Sequence, residues 1–157
     1  MKEIFMDLNT VSEGIKATGQ VHIVRMNAEG VVLEKREVKN LVVTSGKNYI
    51  AQKMVATTNT PTAMTHMAIG TNSTPPLPEN TTLGSQTTRQ LLTGNSVTAN
   101  SITYTANFPA GQGDGAITEA AIFNAATNGD MLCRTVFPVV NKGSGDIISI
   151  TWVITVS

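Results

Sequence analysis

The chain has 157 residues, of which 14% are charged and 41% hydrophobic, and its 11 Lys and Arg residues balance its 11 Asp and Glu residues. This length is typical of one domain with a self-sufficient core. Nucleic-acid-binding proteins normally carry excess positive charge for phosphate contacts, so the zero net charge argues against that class. A surface with few charges instead suits contact with other subunits, because little charge must be desolvated there.

The sequence also bears on where the protein is made, through its lack of a signal peptide pattern and its cysteine content. The first 19 residues lack the continuous apolar stretch of a signal peptide. No apolar run reaches the roughly 18–20 residues that span a bilayer. The single cysteine, Cys133, cannot form an intrachain disulfide. The sequence therefore predicts synthesis in a reducing cytosol and no membrane segment.

Residues 1–19 have weak periodicity, and we predict that they form an N-terminal arm outside a domain at 20–157. The arm carries four apolar side chains close together: Ile4, Phe5, Met6 and Leu8. Such a group is not expected to stay in water. It either packs on its own domain or lies on a neighbouring subunit, and the neighbour is favoured. These four residues are the first part of a candidate interface.

Period-2 alternation predicts strands through most of the remaining chain. The clearest pattern is in the last strand, residues 147–157, where Ile148, Ile150, Trp152, Ile154 and Val156 share one face. The other predicted strands are 21–26, 31–38, 41–43, 64–69, 88–92, a hairpin through 97 and 102–108, 116–123 and 131–140.

One helix is predicted, with Ser45 as its N-cap and Val55 near its end. Ile50, Ala51 and Met54 contribute to its apolar stripe together with Val55. About eight strands at regular spacing and one helix predict an all-β fold, an antiparallel β-sandwich or jelly roll.

A proline-rich segment follows the strand at 64–69. Proline cannot pair in a central strand, so residues 71–80 are predicted to form an extended surface loop. The loop is interpreted either as a contact element or as a solvated connector. Its Pro75, Pro76, Leu77 and Pro78 complete the candidate interface.

The glycine-rich residues 111–115 have the composition of a phosphate loop. They lie between predicted strands and lack the Lys-Ser/Thr ending, so a hairpin turn is the better interpretation. Cys133 could be combined with His66 and with Asp114 or Asp130, but no local signature supports a nucleophilic triad. No catalytic residue is therefore predicted.

Metal and cofactor sites are not predicted either. One cysteine and two histidines, His22 and His66, are too far apart in sequence to show ligand spacing. The acidic residues in or beside glycine-rich turns leave a loose Ca²⁺ site as an alternative, without the alternating spacing of a calcium loop; they are Asp114, Glu119, Asp130 and Asp146. We expect a structural protein, not an enzyme, with no cofactor.

Several segments, as a set and in this order, resemble a family of tailed-bacteriophage virion proteins. They cover roughly residues 21–157 and are NLVVTSGKN at 40–48, MTHMAIGT at 64–71, ITYTANF at 102–108, ITEAAIFNA at 117–125, and MLCRTVF at 131–137 through the ITW ending at 150–152.

This resemblance implies a phage particle component, either a capsid decoration (cement) protein or a small tail-associated protein. A compact domain without repeats favours cement, which would bridge subunits of the major capsid protein on the virion surface after synthesis in the host bacterial cytoplasm. Its expected partners are that protein and further copies of itself, as a dimer or trimer, with no nucleic acid or membrane. The alternatives are a tail or baseplate structural protein and a receptor- or glycan-binding module on the same scaffold. Low aromatic content, 4%, argues against a sugar-stacking surface.

Overall fold

The computed structural model describes residues 14–55, 58 and 60–157. This part of the chain contains one helix and nine strands, which are in chain order β1 (Ala17–Met26), β2 (Val32–Val42), α1 (Thr44–Lys53), β3 (His66–Gly70), β4 (Gln86–Leu91), β5 (Gly94–Thr98), β6 (Ser101–Phe108), β7 (Gly115–Phe123), β8 (Met131–Lys142) and β9 (Ile147–Val156).

The strands form a curled antiparallel sheet, a half-barrel, in the order β4-β3-β7-β8-β2-β1-β9-β6-β5. The predicted all-β class with one short helix is thereby confirmed. Strand β2 joins the two halves of the sheet. Most of its length pairs with β1, whereas only Leu41 and Val42 pair with Arg134 and Cys133 of β8.

Because the sheet curls, strands from both halves contribute to one main core. Met67 of β3 and Ile122 of β7 belong to the same cluster as Ile150 and Trp152 of β9, and all four are 0% exposed. The inward alternation predicted for the last strand is confirmed for Ile148, Ile150, Trp152 and Ile154, while Val156 is only partly buried.

The first two predicted strands are longer than their sequence patterns indicate. Strand β1 begins at Ala17, which pairs with Val156, so residues 17–19 of the predicted arm belong to the sheet. The predicted strands 31–38 and 41–43 are one strand, β2, whose ladder with β1 continues from Val32 to Asn40. Lys35, Glu37 and Lys39 occupy exposed positions along it, so the charged stretch does not end the strand.

The helix is present, but its predicted N-cap is wrong, and of its predicted apolar stripe Ile50 packs against the main core while Ala51, Met54 and Val55 are exposed. Its N-cap position is occupied by Val43 without a side-chain cap, and the Ser45 hydroxyl instead donates a hydrogen bond to the Met131 carbonyl at 2.7 Å. The buried helix residues are Gly46 and Tyr49. A side chain at Gly46 would meet the Leu132 carbonyl oxygen at 1.9 Å from Cβ, so this close approach to β8 selects the buried face of the helix.

Candidate functional site: a proline-rich loop held by a buried ion pair

The chain between β3 and β4, residues 71–85, lies against the outer face of the β7–β8 half of the sheet; it is called the proline loop below. It includes the predicted loop at 71–80 and continues through Leu83, which is 7% exposed. Leu83 belongs to a second apolar cluster with Val43, Ala68, Ala121, Phe123 and Met131. The loop therefore covers apolar side chains of strands that face away from the main core.

An irregularity in the β7–β8 ladder makes this outer face. Ile117 pairs with Val140 and Glu119 with Val136, so Thr118 alone in β7 lies opposite residues 137–139 of β8, which include Pro138. Such a register shift resets the alternation of side chains. Ile117 and Ala120 consequently both belong to the main core, while Glu119 lies on the opposite face with Ala121 and Phe123.

Glu119 is completely buried, and its carboxylate binds backbone amides of the proline loop. Its Oε1 accepts hydrogen bonds from the amides of Asn72 at 3.2 Å and Ser85 at 2.7 Å. Its Oε2 accepts one from the amide of Gly84 at 2.9 Å. One carboxylate thus joins the two ends of the loop.

Arg134 of β8 neutralises this carboxylate and is itself only 3% exposed. Its Nε and Nη2 donate to Glu119 Oε2 at 3.1 and 2.9 Å. The same guanidinium donates to the Thr74 carbonyl at 3.0 Å and to Asn80 Oδ1 at 3.1 Å. Buried charges need both a partner and hydrogen bonds, and the loop supplies the bonds.

Local hydrogen bonds hold the middle of the loop. Asn80 Oδ1 accepts from the Leu77 amide at 2.8 Å, and the Asn80 amide donates to the Leu77 carbonyl at 3.0 Å. Asn72 Oδ1 accepts from the Thr74 amide at 2.8 Å. The Pro78 carbonyl accepts from the Thr44 amide, also at 2.8 Å, which connects the loop to the start of α1. Proline adds stiffness because it fixes φ.

The loop presents an apolar, nearly uncharged surface to solvent. Pro75 and Pro78 are exposed, Leu77 is 47% exposed, and Pro76 is partly buried. Glu79 is the only charged residue of the loop. These four apolar positions are those of the predicted interface. The other predicted interface residues, Ile4, Phe5, Met6 and Leu8, lie outside the described residues.

The ion pair was missed by sequence reasoning, which grouped Glu119 with acidic residues of glycine-rich turns. That grouping is wrong, because Glu119 lies within β7. The available signal was a charged residue inside an apolar strand pattern: Glu119 interrupts the run at 117–123, and Arg134 interrupts the run at 131–137. Two opposite charges in such runs are expected to be buried as a pair.

Among the hydrogen bonds of the described residues, none joins Cys133 to His66 or either of them to an aspartate. Burial raises the pKa of the Cys133 thiol well above its usual value, so the reactive thiolate is disfavoured. The nearest hydrogen-bond partner of the His66 ring is Thr65 Oγ1 at 2.8 Å, and burial lowers the pKa of His66. His22 lies 3.6 Å from Glu37 at the surface.

The acidic residues proposed for a loose Ca²⁺ site are spread over the molecule. Asp114 pairs with Lys142 at 2.7 Å, and Asp146 pairs with Arg25 at 3.0 Å. Asp130 interacts with Asn124. Among the described residues, no group of three or more His, Cys, Asp or Glu side chains is placed to hold a metal ion.

The glycine-rich residues 111–115 form a turn, but the predicted hairpin is wrong. Gly111, Gly113 and Gly115 have positive φ values, which suit a tight turn. The turn joins β6 to β7, which are not neighbours in the sheet. It carries the chain from one half of the sheet to the other.

Within the described part of the chain, no helix is long and apolar enough to cross a membrane. Comparison with known proteins finds no matching family model, no matching curated protein and no matching solved structure.

Proposed function

We propose that the protein is a structural component of a tailed-bacteriophage particle, specifically a capsid decoration protein that bridges subunits of the major capsid protein. The observation that carries this proposal is the proline loop. It combines an exposed apolar tip with an interior anchor, the Glu119–Arg134 pair. A loop fixed before binding loses little conformational freedom on contact, so more of its contact energy becomes affinity.

The chemistry of the loop suits protein contact better than substrate turnover. Leu77, Pro75 and Pro78 offer apolar surface next to a single charge, Glu79. Contacts of this size are individually weak, but a symmetric shell repeats them many times, and linked contacts add through effective concentration. The protein would thus act by contact area on the virion surface, as a homo-oligomer of two or three copies.

We also propose that the curled sheet represents a sandwich of the jelly-roll type. The support is the main core, to which β3 and β7 contribute from one half of the sheet and β6 and β9 from the other. Two halves that share one core pack face to face, as the layers of a sandwich do.

The first test is copy number in purified particles, measured by quantitative gel densitometry. Decoration of a shell requires hundreds of copies per particle. A few copies would overturn the decoration proposal and favour the tail or baseplate alternative, which labelling confined to the tail would establish. Binding to host surface glycans on an array would favour the receptor-binding alternative.

The second test is the substitution L77D, with L91D as a matched control. Leu91 is also exposed, 65%, but lies at the end of β4. Burying a leucine in a contact contributes roughly 1.5–3 kcal/mol, so L77D should weaken binding to undecorated capsids about tenfold or more. L91D should bind as the wild type does. If both variants bind undecorated capsids equally well, the proline loop is not part of the interface.

A further inference from the structure

Strand β5 forms one edge of the sheet and, among the strands that the structure describes, pairs only with β6. Four of its five residues are exposed, and the side chain of Val97 is 72% exposed. An edge strand presents unpaired backbone N–H and C=O groups, which are a template for pairing with a further strand. Strand β5 therefore has the backbone groups to accept one more strand.

The hydrogen bonds of the neighbouring strands show which residues of β5 offer these groups. In an antiparallel sheet, successive residues of a strand bond alternately to the neighbour on one side and to the neighbour on the other. The Val156 amide donates to the Asn100 carbonyl at 2.9 Å, so the even-numbered residues of β6 bond to β9 and its odd-numbered residues bond to β5. Their partners in β5 are the even-numbered residues Gly94, Ser96 and Thr98. The backbone groups of Asn95 and Val97 consequently point away from the sheet.

This end of the sheet carries no charge. Residues 90–113, which include β5 and β6, contain no Asp, Glu, Lys or Arg, and neither does β9. Charged side chains, especially lysine, commonly prevent edge strands of two molecules from pairing. Two identical copies of this edge can therefore meet without like-charge repulsion and without a charge to desolvate.

We propose that the protein forms a twofold dimer in which the β5 strands of two copies pair antiparallel, with the symmetry axis through Ser96. Every residue of β5 then has a partner: Gly94 faces Thr98 of the second copy, and Asn95 faces Val97. The axis repeats each pairing, so the outward backbone groups form four hydrogen bonds between the copies. The inference rests on the self-association in the proposed function and specifies its surface and symmetry.

Other registers pair fewer residues. An axis through Val97 would place Asn95 opposite Ala99, which lies beyond the end of the strand and has a φ of 51°. An axis through Asn95 would place Val97 opposite Thr93, whose amide already donates to the Thr105 carbonyl at 2.8 Å. Each alternative leaves one pair of hydrogen bonds between the copies where the axis through Ser96 gives two.

The apolar side chains of the sheet also fit this register. Val97 lies opposite Ile102, which in turn lies opposite Ile154 of the main core, so the three share the inner face. In the dimer, Val97 and Val97 of the second copy occupy diagonal positions on that face, within reach of each other. The apolar row thus continues from one copy into the other.

The test is disulfide formation by the full-length variant S96C. At the axis, residue 96 faces the same residue of the second copy in a non-hydrogen-bonded pair, with Cα atoms about 4.5 Å apart, which a disulfide can span. Mild oxidation should therefore produce a dimer on a non-reducing gel, and reduction should remove it. The native Cys133 is 0% exposed and should not react in the folded protein.

The matched control is T98C. Thr98 is exposed, as Ser96 is, and lies on the same face of the same strand. In the proposed register, however, the two copies of Thr98 are offset by about 13 Å along the strands. Because this exceeds the separation of about 7 Å that a disulfide can bridge, T98C should crosslink about tenfold more slowly or less. Equal rates for the two variants, or no dimer with S96C, would overturn the proposal.

A second comparison measures the dimer without added cysteines. Five paired residues in each copy make a small interface, so association should depend on protein concentration, which sedimentation velocity measures. V97K places two like charges near the axis and should weaken association about tenfold or more. V139K makes the same change at a valine of β8 that is 43% exposed, and it should associate as the wild type does.

A wild type that stays monomeric at every concentration, or equal weakening by both lysine variants, would also overturn the dimer. These measurements use the isolated protein, whereas the copy number in particles tests capsid decoration. Failure of the dimer is therefore distinguishable from failure of the decoration proposal.

Discussion

The two principal clusters of ion pairs differ in what they hold. Glu119 and Arg134 are 0% and 3% exposed, and their remaining bonds go to the proline loop. The cluster at the β1–β2 hairpin is partly exposed: Arg25 contacts Glu34 at 3.3 Å and Asp146 at 3.0 Å, and Arg36 contacts Glu34. Arginine–carboxylate pairs thus occur both in the interior, where they hold a loop, and at the partly exposed β1–β2 hairpin.

The difference shows that burial, more than the number of contacts, decides the role of a charged pair. A partly exposed pair contributes little to stability because water and salt screen it. A buried pair makes little net contribution as a unit, yet the loss of one partner leaves an uncompensated charge in the interior. The buried pair therefore fixes where the loop lies, whereas the hairpin cluster makes a smaller, additive contribution.

The largest expected effect comes from E119A. Removal of the carboxylate leaves Arg134 buried without a counter-charge, and the free energy of unfolding should fall by about 3–5 kcal/mol. Chemical denaturation measures this change. The matched control is E37A, because Glu37 pairs with His22 where both side chains are about half exposed, 59% and 43%. That variant should stay within about 0.5 kcal/mol of the wild type.

The double variant E119L/R134M separates stability from loop placement. Replacement of both charges by apolar side chains should restore most of the free energy of unfolding. The amides of Asn72, Gly84 and Ser85 would still lack their acceptor, so their hydrogen exchange should be faster than in the wild type. If exchange at these amides is unchanged, Glu119 does not position the loop.

A smaller effect is expected from G70A. A Cβ at Gly70 would lie 2.3 Å from the Ser85 carbonyl oxygen and 2.5 Å from Glu119 Oε1. The loop end must then move away from the carboxylate, which should cost about 1–3 kcal/mol in thermal or chemical denaturation. G145A is the control, because a Cβ there meets no atom within 4 Å. Equal stability of the two variants would contradict the close approach.

The smallest expected effect is the contribution of Asp146 to the loss of folding stability at acid pH. The Gly143 amide and then Arg25 lower the pKa of Asp146 below its ordinary value of 3.8. A lowered folded-state pKa stabilises the protein above the unfolded value, and this stabilisation is lost as pH falls through the folded value. Denaturation between about pH 5 and pH 2 should therefore show a steeper loss for the wild type than for D146N. Identical slopes would mean that Asp146 forms neither the hydrogen bond with the Gly143 amide nor the pair with Arg25 in solution.

The sequence was most informative where one regular pattern governed a whole element. The last strand is an example: its inward residues from Ile148 to Ile154 follow simple alternation, and all are buried. The hairpin of β5 and β6 also lies where it was predicted, around Ala99 and Asn100. Both elements depend mainly on local periodicity and turn composition, which a sequence displays directly.

Features that depend on tertiary contact were not predictable in the same way. The register shift after Ile117 resets the alternation of β7. Pro138 on the opposite strand is a local sign of such an irregularity, but it does not show which face of β7 each side chain takes. The buried face of α1 is selected by the fit of Gly46 against Leu132, not by the apolar stripe that includes Met54. The predicted loop was correct at Pro75–Pro78, but its anchors, Glu119 and Arg134, are more than 40 residues away from Pro75 in the sequence and are close to the loop only in space.

The narrow pairing of β2 with β8 has a consequence for temperature. Among the described residues, the strand ladders of the two halves are joined by only two residue pairs, Leu41 with Arg134 and Val42 with Cys133. Their union thus depends on apolar packing in the main core, and such packing weakens on cooling. On cooling, we therefore expect the pairing between β2 and β8 to be lost first, while the strands within each half remain paired.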